Sequence, residues 1–290
     1  MTVHRPTSLA DAFAALGECP DALVLAGGTD VMVGVNEGHR RLADVVVLGG
    51  VSELRRTGVE RIDGRDVLVI GAGVTYTGLA APEIATRAPA LAVAARTVGS
   101  PQIRNAGTIG GNLGTASPAG DTLPVLHALD AQVALAGPTG VRIVPVREFV
   151  TGPKRTALGP GELITAVHVP VVRGPQDYLK VGVRNAMVIA VASVAFVVDL
   201  DRHELAVGLG AVGPGPLGAP EACRWLARQL HWDDDGVRLA DPGDAARFGT
   251  LVTEAARPID DHRGRADYRR HAVGVLAARA VRRAARGATT

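Results

Sequence analysis

The chain has 290 residues, 47% hydrophobic and 21% charged, with 31 Lys and Arg against 29 Asp and Glu and a net charge of +2. These are globular values with apolar mass for a sizeable core, and the length fits two ordinary domains, or one with an appended module. The near-balanced charge and 3% aromatic content argue against a stacking surface for nucleic acid, and two distant cysteines, Cys19 and Cys223, exclude an iron–sulfur cluster or structural zinc.

The N-terminus carries His4, Arg5 and Asp11 and no signal-type apolar core. SLADAFAAL, residues 8–16, predicts a short helix with Ser8 as N-cap. ALVLAGGTDVMV reads as strand, glycine turn and apolar continuation, and DVVVLGG (44–50) as a second buried strand, together a β-α-β opening. DVLVIGAGVTYTGL (66–79) gives a third strand turning into a helix, and PALAVAARTVG (89–99) a helix that stops at Gly99. RNAGTIGGNLGTASPAGD (104–121) has no regular periodicity. LPVLHALDAQVALAG reads as a helical turn feeding a strand, TGVRIVPVREF as its hairpin partner, and ELITAVHVPVV (162–172) as another strand.

Gly174-Pro175 marks a break, and the domain boundary is placed there. YLKVGVR and two long strands follow, the latter joined through Asp201-Arg202-His203. VIAVASVAFVV (188–198) is the longest apolar run; it is too short to span a bilayer and reads as a buried strand. GPGPLGAP (213–220) is a loop, and the acidic HWDDDGVRLADPGD (231–244) a solvated one. Helices close the chain around 220–230 and 266–286. In the second, Val273, Leu276, Ala280 and Ala284 face inward, and the late arginines oppose the helix dipole. A soluble chain in a reducing, cytoplasmic compartment, bound to neither membrane nor nucleic acid, is expected.

The 36 glycines cluster, and clustered glycine means tight turns or backbone kept bare for a ligand. VLVIGAGVTYTG imitates a dinucleotide fingerprint, but Tyr76 stands where the third glycine belongs, so a strand-end turn is the better reading. LAGGTD (25–30) and GTIGGN (107–112) each join paired glycines to a threonine. Successive backbone N–H groups in such turns can form a nest for anions, and two nests suit a pyrophosphate. No GK[ST] is present for a P-loop. Asp121 either accepts from a cofactor or caps the helix that starts at TLPVL; Lys180 either approaches an anionic cofactor edge or lies on the surface; Arg104 anchors a loop through carbonyls. No HExxH or GxSxG occurs, so no catalytic residue is assigned. A chain without acid–base machinery suits electron transfer, where a cofactor carries the chemistry.

LAGGTD, VGSPQIRNAGTIGGNLGTASPAGD (98–121), ELITAVHVP (162–170) and IDDHRGRADYRRHAV (259–273) resemble, in order and over nearly the whole chain, the FAD-binding medium subunit of molybdenum hydroxylases. That family includes bacterial xanthine dehydrogenases and aerobic carbon monoxide dehydrogenases. The resemblance implies an α+β chain. Residues 1–173 would form an FAD-binding domain of the vanillyl-alcohol-oxidase (PCMH) type, with two α/β subdomains meeting near residue 55. Residues 174–290 would form a small antiparallel sheet with helices.

By matching motifs, the implied FAD-binding residues are Leu25, Ala26, Gly27, Gly28, Thr29, Asp30 and Val31 in the first turn. Thr108, Ile109, Gly110, Gly111 and Asn112 form the second, with Asp121, Ile164 and Lys180 beyond it and Ile189 as an apolar neighbour of the flavin. The implied partners are a molybdopterin-containing large subunit, a 2Fe–2S small subunit and an electron acceptor: NAD, oxygen or another. After the lysine, Asn185 and Val188 stand where many relatives carry charges, a departure that bears on the acceptor. The competing readings are a free-standing flavin oxidoreductase of the same fold and a non-catalytic nucleotide-binding scaffold.

Overall fold

Ser8 accepts a 3.1 Å bond from the Asp11 N–H and so starts the first helix where the sequence places it. The computed structural model describes residues 1–39 and 41–286; residues 287–290, within the expected C-terminal segment, lie outside them. The chain opens with β1 (Val3–His4), α1 (Leu9–Glu18), β2 (Leu23–Leu25), α2 (Val31–Asn36) and β3 (Val45–Val47). These strands form a parallel sheet in the order β1-β3-β2. Val46, fully buried, anchors it to α1 through Ala12 and Leu16 in one cluster.

The next segment runs β4 (Thr57–Ile62), β5 (Arg65–Gly71), α3 (Tyr76–Leu79), α4 (Pro82–Ala85), α5 (Pro89–Thr97), α6 (Pro101–Ala106), α7 (Ile109–Thr115) and α8 (Thr122–Ala128). β6 (Gln132–Gly137), β7 (Gly140–Pro145), α9 (Val146–Phe149), β8 (Val150–Gly152), β9 (Arg155–Thr156) and β10 (Leu163–Pro170) follow. An antiparallel sheet of order β4-β5-β10-β6-β7 results. Its inward residues, among them Leu68, Ile70, Val133, Leu135, Val167 and Val169, belong to the larger core, with α7 against β10. Strand β4 was not anticipated: its residues are almost all exposed, and only pairing with β5 defines it.

The stretch 104–121, read from sequence as irregular, is largely helical. Thr108 caps α7, and Ala116 closes it in the left-handed conformation at φ 45°. Three glycines in seven residues, each costing about 1 kcal/mol against alanine, hid the period. Burial of Ile109 and Leu113 supplies what propensity lacks.

The remainder is β11 (Gln176–Val181), β12 (Ala192–Asp199), β13 (Glu204–Gly210), α10 (Pro220–Ala227), β14 (Leu230–Asp233), β15 (Gly236–Leu239), α11 (Asp244–Thr253) and α12 (Ala266–Arg286). β11-β12-β13 form an antiparallel sheet. Two sequence expectations are corrected here. Residues 231–244 are not a plain loop, because Leu230–Asp233 pairs with Gly236–Leu239 as a hairpin. The helix α11 was missed altogether; it docks on α12 where Gly249 meets Gly274, so closely that a Cβ on Gly249 would lie 2.4 Å from the Gly274 carbonyl oxygen. Val273, Leu276, Ala280 and Ala284 face the second core as expected. No helix among the described residues is long and apolar enough to cross a membrane.

Candidate functional site

The first glycine turn links β2 to α2. Gly28 holds φ +70°, a conformation that favours glycine. Gly27 is needed for a different reason: a Cβ there would stand 2.0 Å from the Ala106 carbonyl oxygen. The turn is therefore pressed against the end of α6, across nearly eighty positions of chain. Among the described residues, no protein acceptor meets the N–H groups of Gly27, Gly28, Thr29 or Asp30. Half-buried backbone donors seldom go without partners, and Gly27, Gly28 and Thr29 are half-buried, with Asp30 exposed beside them, an arrangement open to an anion.

The second glycine turn differs. The Ile109 N–H donates to the Val74 carbonyl at 3.0 Å and the Gly110 N–H to the Ala72 carbonyl at 2.9 Å. The Gly111 N–H donates to Thr108 Oγ1 at 3.0 Å, and the Asn112 N–H to the Thr108 carbonyl at 2.9 Å. The donors of this turn are already spent, which corrects the picture of two equivalent nests. Its glycines permit close packing instead. A Cβ on Gly110 would sit 2.7 Å from both the Ala72 side chain and its carbonyl oxygen. Thr108 Oγ1 accepts from Gly111, and its own proton is uncommitted among the described residues.

The two turns face each other. The Cβ position of Gly111 lies 3.8 Å from the Ala26 side chain. The segment that follows β5 holds the second turn by supplying the Ala72 and Val74 acceptors, a structural role that fits the reading of GAG as a strand-end turn. Arg104 anchors the preceding loop through the Val98 and Gly99 carbonyls at 3.0 and 2.9 Å, as its setting predicts.

Asp121 does not cap α8, although it occupies the cap position. Its carboxylate accepts from Tyr178 Oη at 2.7 Å and from Lys180 Nζ at 2.8 Å. Lys180 also donates to the Thr97 carbonyl at 3.1 Å. The two charged side chains are only 7% and 8% exposed, which overturns the surface reading of Lys180. Burial pushes the Asp121 carboxyl above the usual range, while the Lys180 ammonium and the Tyr178 hydroxyl pull it back towards ionisation. Burial, with the Asp121 charge beside it, drives the Tyr178 phenol far up, so the hydroxyl remains a donor.

The remaining expected residues join by short steps. Asn112 Oδ1 accepts from Thr122 Oγ1 at 2.5 Å, tying α7 to the residue after Asp121. Ile164, 8% exposed, has its Cδ1 3.8 Å from the Cβ position of Gly114. Leu25 closes over Gly28 on one side of the first turn, and Val31 begins α2 on the other. Ile189 stands apart in an exposed loop, 53% accessible. Tyr178 and the Thr97 carbonyl escaped the sequence reading. The signal for Tyr178 was present, since residues two apart on a strand share a face and Lys180 was already a candidate.

A family model described as "FAD binding domain in molybdopterin dehydrogenase" matches residues 1–172, and one described as "CO dehydrogenase flavoprotein C-terminal domain" matches residues 177–284. The chain is 33% identical over 287 residues to the carbon monoxide dehydrogenase medium chain of Afipia carboxidovorans, covering 97% of this chain and 95% of that one. It is 34% identical over 228 residues, 76% of each chain, to the xanthine dehydrogenase FAD-binding subunit of Escherichia coli O157:H7. Its fold superimposes with a TM-score of 0.85 on a chain of the reconstituted CO dehydrogenase from Oligotropha carboxidovorans. There the identity is 32% and the coverage 98% and 97%.

Proposed function

The chain belongs to the family of FAD-binding medium subunits of molybdenum hydroxylases, and from that membership we propose that it is the electron-transfer flavoprotein subunit of such an enzyme. Bound FAD supplies the redox chemistry that connects the iron–sulfur clusters of a 2Fe–2S small subunit to a terminal acceptor. A molybdopterin-containing large subunit oxidises the organic substrate. We assign FAD binding to residues 1–173, divided near residue 55 between the parallel and antiparallel sheets, and the completing segment to 174–290.

The observation that carries this reading is the row of N–H groups from Gly27 to Asp30 that meet no acceptor among the described residues, held beside the glycine-rich start of α7. The site fits a pyrophosphate bridge, because side chains at Gly27 or Gly110 would clash with Ala106 or Ala72 and push the walls of bare backbone apart. Each N–H to phosphate is a charge-assisted bond of about 1.5–3 kcal/mol, so the first turn supplies the grip. The second turn contributes a wall of bare backbone, the Thr108 hydroxyl and the Asn112 amide. Asp121, Ile164 and Lys180 sit deeper, where a carboxylate can accept from hydroxyl or imide groups and an ammonium faces an anionic edge. Leu25, Ala26 and Val31 enclose the turn.

The test is to purify the chain alone and with its co-expressed partners and record visible spectra while titrating candidate substrates. A yellow protein whose flavin bleaches only in the complex is expected. Bleaching by a small molecule in the isolated chain supports a free-standing oxidoreductase instead, and a colourless protein in both preparations contradicts flavin binding.

A further inference from the structure

Tyr178 and Lys180 project from the same face of β11 and reach the two oxygens of one carboxylate. An ionised carboxylate has about four lone-pair directions. Among the described residues two are taken, one on each oxygen, so the plane of Asp121 is set and one direction per oxygen stays open. Tyr178 is 3% exposed and the Lys180 side chain is pinned a second time at the Thr97 carbonyl. This clamp has little freedom to rotate. A phenyl ring would fill the same space, so the hydroxyl adds to the site something that packing does not require.

We propose that Tyr178 is a positioning residue for flavin binding: its hydroxyl, opposite Lys180, fixes the Asp121 carboxylate so that its open lone pairs meet hydrogen-bond donors of FAD. The inference rests on the flavin reading above and deepens it, because it makes the C-terminal segment responsible for the orientation of a carboxylate in the N-terminal one. Tyr178 touches no cofactor in this scheme; it acts through Asp121.

The experiment measures FAD affinity and flavin midpoint potential in the full chain for four proteins: unsubstituted, Tyr178→Phe, Asp121→Ala and the double variant. Tyr178→Phe is expected to weaken FAD binding about tenfold, the equivalent of one hydrogen bond to a charged group. It also shifts the potential to more negative values, since a less compensated carboxylate disfavours the added electron. In the Asp121→Ala background the same substitution has no further effect. Equal losses in both backgrounds, or no loss in either, overturn the proposal. Unchanged affinity and potential in Asp121→Ala alone remove its premise that FAD lies beside Asp121, which is a failure of the flavin assignment and distinguishable from the first. Should Tyr178→Phe fail to fold, the ¹³C resonance of Tyr178 Cζ in the unsubstituted chain decides. It moves on FAD addition if the clamp meets the flavin, and an unmoved resonance overturns the proposal.

Discussion

Two glycines side by side in the first turn are irreplaceable to different degrees. Gly28 lies at positive φ but a Cβ there would make only ordinary contacts with Leu25 and Met32, whereas the Gly27 Cβ would collide with the Ala106 backbone. Alanine at 28 costs about 1–2 kcal/mol of left-handed strain. Alanine at 27 forces backbone from backbone, an overpacking of about 1–3 kcal/mol, and pushes the two turns apart. Flavin content after purification should therefore fall further in Gly27→Ala than in Gly28→Ala; the opposite order would show that conformation, not closeness, governs the cleft. Local rules made this turn, the Ser8 cap and the Arg104 anchor readable from sequence. The Asp121–Lys180 pair was not, because its partners stand 59 positions apart and each had a plausible solitary role. Lys180→Met leaves a buried carboxylate with one partner, and removing one member of a buried pair costs about 3–5 kcal/mol. The Asp121 carboxyl, already raised by burial, rises further without the ammonium. A carboxyl whose folded pKa exceeds its unfolded one binds more protons when folded, so stability declines as pH rises through that interval. The Lys180→Met penalty should be largest at neutral pH and shrink on acidification in urea titrations; a pH-independent penalty would mean that Asp121 does not titrate in the variant.

Elements with a clear hydrophobic period were legible, and those defined by pairing or capping were not. β5, β6, β10 and β12 announce themselves by apolar runs, while β4 is exposed and the β14–β15 hairpin is acidic. α7 is a helix because Thr108 caps it and two apolar side chains anchor it, against its composition. The edge strand β7 shows how a charged residue defines an element. Arg142 reaches both carboxylate oxygens of Glu162 at 2.7 Å, across to the start of β10, and also donates to the Ala157 carbonyl. Glu162 accepts the Gly159 N–H as well. These bonds, led by that from Arg142, bring the Glu162 carboxyl down from 4.5 to about 2. A lowered folded pKa gives stability that is present above 4.5 and lost as pH falls towards 2. In Arg142→Gln that acid-dependent component should largely vanish: the variant is less stable at neutral pH, and its melting temperature converges with that of the unsubstituted chain as pH drops. Parallel melting curves at all pH values would show that the pair contributes no differential charge stabilisation.

At the scale of the molecule, Gly174-Pro175 suggests the proposed division in sequence, but the way β12 and β13 serve both cores does not show there. β12 explains why its run is apolar on both faces, with Ser193 the polar exception before Asp199. Ala195 and Val197 belong to the first core, while Ala192, Val194, Phe196 and Val198 belong to the second. One strand thus serves both cores through its alternating faces. A second junction lies at Gly208 on β13, where a Cβ would come within 1.8 Å of the Pro124 carbonyl oxygen on α8. The buried Asp121–Lys180 pair and the Tyr178 bond cross the same boundary. A pattern of alternation cannot reveal this from one chain, since a strand buried on both faces looks alike whether one core or two receive it. Unfolding either core would strip one face of β12 and expose charge at Asp121, so the two cores are expected to unfold together. Calorimetry on the flavin-free chain should then give one transition, with calorimetric and van't Hoff enthalpies in agreement. Gly208→Ala should lower its midpoint without splitting it, because the clash weakens a contact on which both cores depend. Two resolved transitions in the unsubstituted chain would mean that β12 can lose one core and keep the other.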